Sequence, residues 1–215
     1  DLPLRLFHWL LAAAVIAAML TGQVGGNLMV WHGRLGILIA GLLGFRLAWG
    51  IVGSTHSRFA SFVRGPRAII DYLRHMKDHK APSIGHNPLG ALSVFALLGA
   101  LLAQVLTGLM ADDEIAFSGP LTRFVSGDTV AWATSLHTDV GQWLLVALVA
   151  LHLAAIAFYT HIKRHSLVRP MVLGDKQLPT STPASRDDAR TRLLAAVVLA
   201  AAAAAAWWVA QLGIF

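Results

Sequence analysis

The stretch from Ser135 to Tyr159, SLHTDVGQWLLVALVALHLAAIAFY, is long and apolar enough to cross a bilayer, yet it holds two histidines, His137 and His152. A bilayer core about 30 Å thick takes about 20 apolar residues in a helix. Inside it every backbone polar group must be satisfied within the chain, which leaves helices or closed barrels. As a helix, the 15 residues between the two imidazoles rise about 22 Å and turn four full turns plus about 60°. Both side chains then leave the same broad face, one toward each side of the membrane.

The rest of the chain agrees with a membrane fold. Of 215 residues, 56% are hydrophobic and 13% charged, against about 25% charged in ordinary soluble domains. The absence of cysteine excludes disulfides, thiolate metal sites, iron–sulfur clusters and covalent c-type heme attachment in this chain. Five segments are expected to span: Leu4 to Gln23, Val30 to Val52, Pro88 to Ala111, Ser135 to His161 and Leu193 to Phe215. The first apolar run has no cleavage pattern after it and is read as a span, not a signal peptide. In the fifth, the alanine run Ala200 to Ala206 favours helix, and Trp207 and Trp208 suit an interfacial belt. Pro66 to Met76 reads as a short amphipathic helix lying on the surface.

The net charge of +6 is informative through its location. Arg58, Arg64, Arg67, Arg74, Lys77 and Lys80 lie between the second and third spans. Lys163, Arg164, Arg169, Lys176, Arg186, Arg190 and Arg192 follow the fourth. The loop after the third span opens with Asp112, Asp113 and Glu114 and holds one basic residue, Arg123. Positive charge marks cytoplasmic loops. The expectation is a multi-pass protein of the bacterial inner membrane with a cytoplasmic N-terminus. The acidic loop and the short turn Gly25 to Met29 then face the periplasm. The basic residues are read as topology signals, and no nucleic-acid partner is expected. Residues 177–192, rich in Pro, Ser and Thr at their start, read as a linker between a core of residues 1–176 and an accessory helix of residues 193–215.

This topology assigns depths. His32 opens the second span and His137 the fourth, on one side; His8 opens the first, and His152 lies in the same half as His8. The pairs are His32 with His137 and His8 with His152. A lone intramembrane histidine often just bonds a neighbouring helix; four at matched depths, two of them on one helix, point to axial ligation of two hemes between helices. The others fail this test. His161 is about 180° from His152, His165 follows among charges, His56, His75 and His79 lie in the basic loop, and His86 has no partner at its depth. Gly36 and Gly141 each follow a ligand candidate by four residues and so share its face, where they would clear space for a flat macrocycle. Ala12 and Ala155 stand four and three residues from the other pair. Arg46, about 21 Å deeper than His32 and within about 40° of its direction, is placed to bind heme propionates bidentately. Arg5 and Arg34, beside His8 and His32, are weaker candidates of the same kind.

The chain resembles the bacterial cytochrome b561 family, which includes the cytochrome b subunits of nickel–iron hydrogenases. The resemblance rests on LPLRLFHWLL, FRLAWGIVGS, RFASFVRGP, GHNPLGA, LTGLMADDE, the two-histidine span and LVRPMVLGD. It covers about residues 2 to 176. It implies an all-α membrane protein: a four-helix transmembrane bundle binding two hemes b, here with a fifth C-terminal transmembrane helix. Its ligands carry over to His8, His32, His137 and His152. It also implies electron transfer between the quinone pool and a periplasmic redox partner, either a hydrogenase, a c-type cytochrome or another dehydrogenase. That favours an electron-transfer subunit over a stand-alone enzyme. The acidic loop, with Phe117 and Trp132, is a candidate docking surface. Two other readings compete. One is a quinone reductase that takes electrons directly from a small substrate such as superoxide. The other is a histidine-based proton or metal-ion transporter, which would want acids along its path; no Asp or Glu lies in the core of the four main spans.

Overall fold

The computed structural model describes residues 1–63, 65–74, 87–115, 117–175 and 184–213. Among these, five helices are long and apolar enough to cross a membrane: Leu2–Val24, Gly26–Val52, Pro88–Met110, Gly127–Ile162 and Ala189–Ala210. All five expected spans are present, with shifted ends. His75, His79 and His86, residues 177–183 of the expected linker and the basic residues Arg64, Lys77, Lys80 and Lys176 lie outside the described residues.

Local chemistry sets the helix ends. In α1 (Leu2–Val24), the Asp1 carboxylate accepts from the Leu4 N–H at 2.8 Å, with proline in the first turn. The chain reverses at Gly25 and Gly26, whose φ values of +68° and +57° are open to glycine at little cost. It then enters α2 (Met29–Val52). The surface helix expected after it is α3 (Pro66–Arg74), whose Tyr72 hydroxyl lies 2.9 Å from that of Tyr159. Asn87 caps α4 (Pro88–Met110), accepting from the Gly90 N–H at 2.7 Å.

The fourth span departs most from expectation. It starts at Gly127, eight residues before Ser135, because Ser126 supplies an N-cap that accepts from the Thr129 N–H. It runs as α5 (Gly127–Ser135), a π-helical turn (Leu136–Gly141), α6 (Gln142–Ala157) and a second π-helical turn (Phe158–Ile162). At about 1.5 Å per residue this rod outruns a bilayer core by some 20 Å. The loop after α4 folds against its first turns, where the Asp112 N–H donates to Thr134 Oγ1 at 3.1 Å. The short α7 (Val168–Leu173) ends at Gly174 in the left-handed conformation, φ +98°. Asp188 caps α8 (Ala189–Ala210), which begins four residues before the expected start.

α2 is the centre of the bundle. It packs on α1, α4 and α8; α4 packs in turn on α6, and a hydrogen bond of 2.8 Å from Gln23 to Gln142 joins α1 to α6. Four helices thus enclose a space, with α8 outside against α2. The α8 contact is among the most extensive in the molecule, because Gly41 and Gly44 of α2 let the alanines at 202, 203 and 206 approach closely. At the other end of α2, Trp49 is fully buried, stacked on Phe45 with centroids 5.7 Å apart. Its indole N–H donates to Asp1 Oδ2 at 3.3 Å, an acceptor shared with the hydroxyls of Ser54 and Ser57.

Candidate heme-ligand site

His32, from the second turn of α2, and His137, from the first π-helical turn, face each other across the bundle. Their ring centroids are 5.9 Å apart and their planes cross at 84°. Each ring is held from behind by a helix that carries no ligand of this pair. His32 Nδ1 lies 2.8 Å from the Ala18 carbonyl of α1, and His137 Nδ1 lies 2.8 Å from the Gln104 carbonyl of α4. A carbonyl oxygen can only accept, so each Nδ1 carries a proton, and in the neutral ring each Nε2 keeps its lone pair. This is the outer-shell arrangement typical of metal-ligating histidine.

One helical turn beyond each carbonyl stands a glycine. A methyl at Gly22 would come within 2.9 Å of the His32 ring, and one at Gly108 within 2.7 Å of the His137 ring. Ring and backbone therefore require these two positions to be bare. Metal–imidazole bonds of about 2.0–2.1 Å place the centroids of two axial rings about 6 Å apart, which the observed separation meets. A cavity of about 340 Å³ adjoins both rings, bordered by Gly36, Leu101, Val105 and Leu145. The donor set and the cavity fit a bis-imidazole heme.

At the other end of the bundle lie His8 of α1 and His152 of α6. His8 Nδ1 is buried and has no hydrogen-bond partner among the described residues. The π-helical turn at Leu136–Gly141 bears on this pairing. A π-turn inserts one residue and so rotates the rest of the helix by about 100°. The angle between His137 and His152 changes from about +60° to about −40°, so both still point into the bundle. Among the described residues no three His, Asp or Glu side chains gather at one point.

The other expected site residues are distributed unevenly. Gly36 borders the cavity and has open space beside it. The space beside Gly141 is taken by the Gln104 side chain. Arg46 is buried, at 3% exposure, with Nη1 donating to the Ser57 carbonyl at 3.2 Å and its guanidinium 4.4 Å above the Phe59 ring; it does not reach outward to an interface. Arg5 donates to the Val172 carbonyl at 2.7 Å and Trp9 to the Met171 carbonyl at 3.1 Å. The opening motif of the chain thus holds the last carbonyls of α7, and LPLRLFHWLL meets LVRPMVLGD. Arg34 is exposed and lies over Trp31 at 4.9 Å. Of the suggested docking residues, Asp112 and Asp113 turn their carboxylates onto loop N–H groups at 114, 115 and 117, while Trp132 is exposed.

Ala18, Gly22, Gln104, Thr107 and Gly108 are missing from the sequence-based assignment. A short repeat marks them: Leu20-Thr21-Gly22 in α1 and Leu106-Thr107-Gly108 in α4. Thr21 Oγ1 bonds back to the Ala17 and Ala18 carbonyls, Thr107 Oγ1 to those of Ala103 and Gln104, and each glycine receives an imidazole.

Membrane-spanning helices that bring two imidazoles face to face beside a cavity fit the class of multi-pass membrane cytochromes. The family model described as prokaryotic cytochrome b561 matches residues 1–174, and the chain belongs to that family, whose members are membrane electron-transfer proteins with heme b. Curated relatives agree. A protein of Azotobacter chroococcum named as a probable Ni/Fe-hydrogenase B-type cytochrome subunit is 26% identical, over 85% of this chain and 89% of its own length. Proteins of the same description from Cupriavidus necator and Bradyrhizobium diazoefficiens are 26% and 24% identical, over 81% and 82% of this chain and 84% of each relative. No solved structure matches the chain.

Proposed function

We propose that this protein carries electrons between the quinone pool and a redox partner at the membrane surface, using two hemes b. His32 and His137 hold one, His8 and His152 the other. The crossed imidazoles of His32 and His137, each with its Nδ1 proton tied to a carbonyl and its Nε2 free, carry this reading. Bound heme supplies reversible one-electron chemistry. The chain's own part is to present four imidazoles, to fix the tautomer and direction of His32 and His137, and to leave room for a flat ring beside Gly36. Arg46 is the buried cation assigned to heme carboxylates at the end where His8 and His152 lie. Arg5 and Arg34, engaged with α7 and with Trp31, are set to support the ends of their helices.

The relatives' names support a nickel–iron hydrogenase as the partner. The distribution of Lys and Arg supports a cytoplasmic N-terminus, which places His32, His137 and the acidic loop on the periplasmic side. The decisive experiment counts heme per purified chain. Unsubstituted protein should hold two hemes; His137→Ala and His8→Ala should each retain about one, with different difference spectra. Two hemes with unaltered spectra in either variant would refute the pairing. Reduction of the purified hemes by a quinol, and by hydrogen only when hydrogenase co-purifies, tests the direction and the partner.

A further inference from the structure

Gln104 touches His137 twice. Its backbone carbonyl accepts from the His137 Nδ1–H, and its side-chain amide donates to the His137 carbonyl at 2.8 Å. That carbonyl lies in the π-helical turn Leu136–Gly141. A π-turn shifts the backbone pairing by one residue and loosens it, so an outside donor is well placed to hold it. The Gln104 amide sits against the bare Cα of Gly141, where a methyl would overlap it. The α1 side has no counterpart: Ala18 offers His32 its carbonyl and no side-chain donor. The two shelves are alike in threonine and glycine but differ in this one residue.

We propose that Gln104 is a positioning residue that locks the π-turn and thereby holds the His137 imidazole crossed to His32. The proposal rests on the reading that both histidines are axial ligands. Ring orientation matters because the p orbital of each imidazole overlaps one of the two iron d orbitals of π symmetry. Parallel rings split those orbitals; rings crossed near 90° leave them almost equal in energy. A ferric heme between crossed rings gives a highly anisotropic low-spin EPR signal at low field, and rotation of one ring toward the other moves it upfield. The Gln104 lock is thus readable in the spectrum of one heme.

The test is EPR and redox titration of the purified protein with both hemes, compared with Gln104→Met, which keeps length and the backbone carbonyl but removes the amide donor. The expected result is a large-g signal from the His32/His137 heme in the unsubstituted protein. In Gln104→Met that signal moves upfield and the midpoint potential of the same heme shifts, while the other heme is unchanged. Gly108→Ala, which pushes the His137 ring from the other side, should alter the same signal if Gln104→Met fails to fold. Gly99→Ala, with open space beside it, should alter neither. Unchanged signal and potential in Gln104→Met, or no large-g signal in the unsubstituted protein, would overturn the proposal. His137→Ala separates the two levels. If it keeps both hemes, the ligand assignment fails; if it loses one while Gln104→Met is spectroscopically silent, only the role of Gln104 fails.

Discussion

The contact between α2 and α8 gives a graded prediction at Gly41. A methyl built there stands 3.5 Å from Ala206 Cβ, 3.6 Å from Ala203 Cα and 3.7 Å from the Ala202 carbonyl oxygen. All three are ordinary van der Waals contacts, each worth about 0.1–0.2 kcal/mol. Gly41→Ala also removes a glycine from a helix interior, a change worth up to about 1 kcal/mol. The variant should match or exceed the unsubstituted protein in stability, by as much as about 2–4 °C in Tm. Gly41→Ile carries further carbons into the α8 backbone, which has no flexible side chain to move aside, and overpacking of that kind costs about 1–3 kcal/mol. The assay is thermal unfolding in detergent, with limited proteolysis before α8 reporting whether that helix has detached. Equal losses for alanine and isoleucine, or no loss for isoleucine, would refute a close α2–α8 contact.

Two further outcomes concern the capping network around α1. Asp1→Ala strands the buried Trp49 N–H and removes a helix cap; the first costs about 1–3 kcal/mol and the second about 1 kcal/mol, so the melting temperature should fall clearly, and less in Asp1→Asn, which keeps an acceptor. At Asp187 burial pushes the carboxyl up, but hydrogen bonds from Arg192 and the Leu2 N–H, with the Arg192 charge, outweigh it and hold it below the usual carboxylate range. A depressed carboxyl adds stability that is full above the ordinary value near pH 4 and is lost as pH falls through the folded one. Asp187→Asn should flatten the acid limb of the stability curve, and an unchanged acid limb would remove Asp187 from that account.

The number of spans was legible because hydropathy follows directly from composition along the chain, and a bilayer enforces helix wherever apolar length suffices. The pairing of His32 with His137 was legible for the same reason: helix rise is regular, and the two rings lie 5.9 Å apart. Arg46 was recognised as notable, but its burial against Ser57 and Phe59 depends on how the chain after α2 folds back, which no periodicity reports. The ends of α5–α6 and α8 were misjudged because Ser126 and Asp188 cap them outside the apolar stretch.

The sequence by itself determined an all-helical membrane protein with four histidines at two depths, since these rest on composition and on the fixed rise of a helix. Only the tertiary structure decided what holds the rings. The Ala18 and Gln104 carbonyls, the bare shelves at Gly22 and Gly108 and the π-turn under His137 are contacts between helices distant in the chain. The same packing turned the alanine-rich last helix from an appendage into a neighbour of α2. Rise and rotation along one helix are local quantities, whereas the direction of an imidazole is set by whichever helix lies behind it.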